Sequence, residues 1–111
     1  MPTEERFITF SLEEIYKAIK IKALEESLEV PPDGELKSVD MEEGNGGDDA
    51  QIFLTIVRKA DEQEERLQYV RKFFALALVF YCQGKGIPLP RSGAKTLAIL
   101  DDKVVMKIVM K

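Results

Sequence analysis

ADEQEERLQYVRKFFALALVFYC, residues 60–82, is the stretch on whose reading the fold turns. Asp61 and Glu64 stand at the reciprocal spacing of a helix cap, and Glu62, Glu64 and Glu65 put negative charge where a first helical turn favours it. Leu67, Val70, Phe74, Ala77 and Tyr81 then recur at helical intervals, so the pattern predicts a helix beginning near residue 62. Phe73, Leu76, Val79 and Phe80 widen that stripe until the last turns are nearly apolar all round. A sheet can cover one face of such a helix. The rest, at Phe73, Leu76 and Phe80, is expected to meet a second copy of the chain as a homodimer contact.

Upstream, RFITF at 6–10 alternates apolar with polar residues and runs straight into SLEEIYKAIKIKALEESLEV. Ser11 and Glu14 have capping-box spacing, and Phe10 stands where it can staple onto Ile15, which predicts a strand handing over to a helix. Leu12, Ile15, Tyr16, Ile19 and Ala23 form its apolar stripe. Pro31, Pro32, Asp33 and Gly34 end it. Glu35 to Glu42 reads as an acidic strand with Val39 and Met41 on one face, EEGNGGDDA at 42–50 as a turn, and AQIFLTIVR as a strand apolar on both faces and therefore central.

Downstream, Gly84 is a natural helix stop, IPLP is extended, and the chain turns through RSGAKT. LAIL and KVVMKIVMK read as a terminal hairpin around Asp101 and Asp102. The resulting order, βαββαββ, most economically gives one α+β domain over residues 1–111, with two helices on a single, mostly antiparallel sheet. Its first six elements have the split βαβ order of ferredoxin-like folds, with an extra C-terminal strand. Such folds host unrelated functions, so the topology alone assigns none.

Composition narrows the chemistry. Of 111 residues, 45% are hydrophobic and 32% charged, a globular balance. The longest apolar run, FFALALVFYC, is too short to span a membrane, and no leader-like sequence opens the chain, so a cytoplasmic protein without membrane contact is expected. The absence of histidine removes the usual imidazole base and the commonest metal ligand, and the single cysteine, Cys82, reads as a small core residue. Adjacent acids such as Glu13 with Glu14 and Asp101 with Asp102 fall at surface or turn positions, where no carboxyl is poised for acid–base work. No catalytic residue, metal site or cofactor is expected, and the chain reads as non-enzymatic.

GKGIPLPRSGAKT, 84–96, gathers three glycines, two prolines and three cations, yet Ala94 interrupts the Gly-Lys pair that a phosphate-wrapping loop requires, and a strand rather than a helix follows. Lys85, Arg91 and Lys95 remain as an anion-binding alternative to a simple polar connection. Charge layout supports that alternative: residues 1–65 carry 18 acidic and 7 basic side chains, residues 66–111 carry 2 and 9. If the halves stay apart, the basic C-terminal half can attract nucleic acid, with Arg71 and Lys72 adjoining; if they interleave in a sheet, the asymmetry cancels. Asp40, Glu42, Glu43, Asp48 and Asp49 offer oxygen ligands without calcium-loop spacing and read as a solvated connection. The favoured expectation is a protein-interaction module that self-associates and binds an unidentified protein partner. Nucleic-acid or anion binding is the alternative.

Overall fold

A computed structural model of the chain describes residues 4–41, 50–87, 89, 94–100 and 103–110. The element order is β1 (Glu4–Phe10), α1 (Leu12–Glu25), β2 (Gly34–Met41), β3 (Gln51–Arg58), β4 (Glu64–Val70), α2 (Arg71–Gly84), β5 (Ala94–Leu100) and β6 (Lys103–Met110). The strands form two antiparallel three-stranded sheets, β1-β6-β5 and β2-β3-β4. The α+β class is as the sequence predicts; the single sheet is not.

The difference begins at residues 64–70. This segment is a strand paired with β3 from Val57↔Glu64 to Gln51↔Val70, and α2 starts only at Arg71. Leu67 and Val70 lie a helical interval apart, but Leu67 and Tyr69 alternate with Arg66, Gln68 and Val70, and the neighbouring β3 rewards that shorter period with a full ladder. Asp61 caps no helix. Its carboxylate accepts from the Gln63 amide at 3.1 Å and from Arg58 Nε and Nη2 at 3.2 and 2.8 Å, closing the β3–β4 turn where Glu62 adopts φ 59°. With this extra strand β2, β3 and β4 make a complete meander, and β1 joins the terminal hairpin instead. The ferredoxin-like pairing is therefore not formed: β1 pairs with β6.

Both sheets turn one face to the helices, and their inward side chains merge into one core. Phe10, Val104, Met106 and Ile108 from the first sheet and Leu36, Val39, Ile52, Leu54 and Ile56 from the second pack with Ile15 and Ile19 of α1 and Phe74, Leu78 and Cys82 of α2. β3 is central in its sheet, as its two-sided apolar pattern predicts. The β2–β3 register slips between Leu36 and Ser38, so Leu36 and Val39 both face inward although three residues apart. The hairpin pairs from Leu100↔Lys103 to Ala94↔Val109, so Ala94, Lys95 and Thr96 belong to β5 and not to a turn.

The helix ends share one device. The capping box of α1 is closed, with Ser11 N–H donating to Glu14 Oε1 at 3.0 Å and Glu14 N–H to Ser11 Oγ at 3.2 Å. At its other end Leu28 N–H donates to the Ala23 carbonyl at 2.8 Å and Ser27 N–H to Leu24 at 3.2 Å, with Ser27 at φ 56°. This is a Schellman motif, which favours glycine at the left-handed position. α2 ends alike: Ile87 N–H reaches Cys82 at 2.9 Å and Gly86 N–H reaches Gln83 at 3.2 Å, with Gly86 at φ 73°. Gly84, the expected stop, is the last helical residue.

Candidate interaction surface

α2 is fed directly by β4, whose ladder continues into the first helical residue through Arg71 N–H to the Ala50 carbonyl at 2.7 Å. That junction fixes the rotation of the helix. Phe74, Ala77, Leu78, Tyr81 and Cys82 go into the core, and Phe73, Leu76 and Phe80, at intervals of three and four, run along its flank, with Phe73 still packed against the core. Phe73 is half-buried and stacks on Tyr69 with ring centroids 5.3 Å apart. Leu76 is 47% exposed. Phe80 is half-buried beneath the Lys22 ammonium, 5.2 Å from its ring centroid, and Lys22 in turn pairs with Glu26 at 3.4 Å. The outer face of α2 is thus a row of apolar groups joined to α1 by a cation that shields one of them.

α1 also exposes apolar groups that its core stripe does not reveal. Ile21, Leu24 and Leu28 are exposed, as is Val70 at the entry to α2. Ile21 and Leu24 fall outside the stripe that packs on the sheets; their signal in the sequence is that they are apolar on the side of an amphipathic helix where polar residues are expected.

The anion-site residues do not assemble into a group that the described residues can show. Lys85 follows α2, with its Nζ 5.6 Å from the Tyr81 ring centroid. Lys95 is half-buried on β5, opposite Ile108 and on the same face as Leu97 and Ile99, and Arg91 lies outside the described residues. The two charge halves are interleaved where β1 lies beside β6, and Glu5 meets Lys107 at 3.5 Å. Residues 42–49 of the acidic connection and the Asp101–Asp102 turn also lie outside the described residues. Among the described residues no group of three or more acidic or cysteine side chains is placed to hold a metal ion. No described helix is long and apolar enough to cross a membrane. Cys82 is buried, and burial, followed by the charge of Glu14, pushes its thiol up, away from the reactive thiolate.

A cleft arises from residues far apart in sequence. Leu28 to Pro32, which leave α1, face Arg58, Glu65, Leu67, Gln68 and Tyr69 of the β3–β4 hairpin across a cleft of about 550 Å³. The strap is fixed at its far end: Tyr16 Oη donates to the Pro32 carbonyl at 2.7 Å, Lys20 Nζ reaches Asp33 at 3.1 Å, and Lys59 N–H donates to the Asp33 carbonyl at 2.8 Å. Burial, reinforced by Glu29 and then Glu65, raises the Tyr69 phenol above its ordinary range. Compared with known proteins, the chain matches no family model, no curated protein and no solved structure.

Proposed function

We propose that this protein works by binding other macromolecules and that it self-associates through the outer face of α2. The observation carrying this reading is the distribution of exposed apolar groups. Of the large hydrophobic side chains exposed among the described residues, Ile21, Leu24, Leu28, Val70 and Leu76 all lie on or beside the two helices, and Phe7 alone belongs to the other sheet. An excess of exposed apolar groups on the helices, compared with the sheets, supports a contact surface on the helical side. A second copy suits it in charge as well. α2 brings Arg71 and Lys72 and no acid in its first turn, and the end of α1 brings Glu25, Glu26 and Glu29, so a self-complementary contact can set one set against the other.

The nucleic-acid alternative draws on the net charge of the C-terminal half, and the Glu5–Lys107 pair together with the half-buried Lys95 leaves it less support. Sedimentation velocity over a concentration series tests the favoured reading, with Leu76→Asp on the proposed face and Phe7→Asp away from it. Wild type and Phe7→Asp are expected to dimerise and Leu76→Asp to remain monomeric. A wild-type chain that stays monomeric at the highest concentration, or a Leu76→Asp chain that dimerises like wild type, overturns it.

A further inference from the structure

The cleft beside β4 lies along a sheet edge with unused hydrogen-bonding capacity. β4 pairs with β3 on one side, and no described strand lies on the other. The ladder's phase identifies which groups are free. Arg58 N–H donates to the Gln63 carbonyl at 2.9 Å, and Arg71 N–H to Ala50 at 2.7 Å, so 58/63 and 50/71 are hydrogen-bonded pairs. Alternation along an antiparallel ladder then turns Glu65, Leu67 and Tyr69 toward β3 and leaves the backbone groups of Glu64, Arg66, Gln68 and Val70 directed at the open edge. Glu65, Leu67 and Tyr69, the half-buried residues of β4, line the cleft together with Gln68. A strand laid on this edge would therefore satisfy the free amides and carbonyls and place every second side chain in the space facing Leu28 to Pro32.

The cleft's chemistry selects that strand. Its walls are apolar at Leu28, Val30, Pro31, Leu67 and Tyr69 and acidic at Glu29 and Glu65. Among the described residues its lining holds one cation, Arg58, which pairs with Asp61 at 2.8 Å. We propose that the β4 edge takes up an extended segment of a partner protein as an added strand, one in which lysine or arginine alternates with aliphatic residues on the inward side. The cation meets Glu29 and Glu65, and the aliphatic groups cover Leu67 and Tyr69. This deepens the reading of the chain as an interaction protein but does not depend on the α2 contact, because Leu76 and Phe80 are not part of the cleft.

The test is titration with a capped synthetic peptide bearing Lys, Leu and Leu at alternate positions between threonines, read by amide chemical shifts and by hydrogen exchange. Binding is expected to slow exchange at Glu64, Arg66, Gln68 and Val70. Replacing the peptide's Lys with Glu is expected to weaken binding at least tenfold, and Glu29→Lys with Glu65→Lys to reverse that preference. Gln68→Pro removes one edge amide while sparing the β3 ladder, and is expected to abolish binding; a peptide N-methylated on its edge-facing amides makes the same test without altering the protein. Leu76→Asp is expected to bind as wild type does, so loss of self-association and loss of peptide uptake are separable. Absence of binding, equal binding of the Lys and Glu peptides, or undiminished binding of the N-methylated peptide each overturns the proposal.

Discussion

Replacing Ser27 by glycine and Gly86 by serine is expected to move stability in opposite directions by similar amounts. Both residues occupy the same position of the same motif, the left-handed residue after a helix, at φ 56° and 73°. A side chain there crowds the following carbonyl at a cost of about 1–2 kcal/mol, which Ser27 bears and Gly86 escapes. Glycine also makes the unfolded chain more flexible, which offsets roughly 0.4–1 kcal/mol of the gain. Ser27→Gly is thus expected to stabilise by about 0.5–1 kcal/mol and Gly86→Ser to destabilise by about as much. Packing does not confuse the comparison, because Ser27 is exposed and a Cβ at Gly86 would meet no atom within 4 Å. Urea unfolding measures both: the midpoint is expected to rise for one and fall for the other with the slope unchanged, at about 1–3 kcal/mol per molar. A destabilised Ser27→Gly chain, or a neutral Gly86→Ser chain, would refute the assignment of these residues as the helix stops. The first change also bears on function, since the Ser27 motif aims Leu28 to Pro32 at the cleft.

Other perturbations follow from the same contacts. Gly34 opens β2 where a Cβ would run into the Val57 backbone carbonyl, which cannot rotate aside, so Gly34→Ala is expected to destabilise by about 1–3 kcal/mol in the same urea assay; a neutral result would contradict the close approach. Stability is expected to fall as pH rises above about 9. Burial raises the Cys82 thiol and the Tyr69 phenol, and the hydrogen bond to Asp33 raises the Lys20 ammonium. The native state therefore holds these protons after the unfolded chain has released them, so their contribution is complete below the unfolded values and is lost as pH climbs through the folded ones. Tyr69→Phe is expected to make the alkaline decline shallower, and an unchanged slope would remove Tyr69 from the account.

The sequence shows most clearly what is fixed locally. The capping box at Ser11 and Glu14 depends on residues three apart, and it closes as expected. The terminal hairpin rests on alternation within a few residues, and Val104, Met106 and Ile108 take the buried side. β4 is different, because Leu67 fits a helical stripe with Val70 and a strand with Tyr69 equally well. What decides between them is a partner, β3, separated by a turn whose aspartate mimics a helix cap. Reading that one segment as helix removes a strand and with it the second sheet. The outer face of α2 is legible because its excess of apolar residues does not depend on where the helix starts. The cleft is not legible, since it exists only once the strap after α1 is set against the β3–β4 hairpin.

The charge division along the sequence shows how topology rewrites a one-dimensional signal. β1 comes from the acidic half and β6 from the basic half, yet they are neighbours, and their side chains pair at Glu5 and Lys107. What survives is local: acids around the cleft at Glu29 and Glu65, and cations at the start of α2. The two proposed contacts consequently differ in kind. The α2 face is mainly apolar and draws its strength from buried area, which moderate salt hardly weakens. The β4 cleft selects its ligand through carboxylates near solvent, whose reach contracts to about 8 Å at physiological ionic strength and about 3 Å at 1 M. Raising salt is therefore expected to strip a basic peptide from the cleft while the dimer persists. That order of loss depends on apolar area governing one contact and charge the other, and it would be reversed if the acidic end of α1 and the cations of α2, and not Leu76 and its neighbours, held the two copies together.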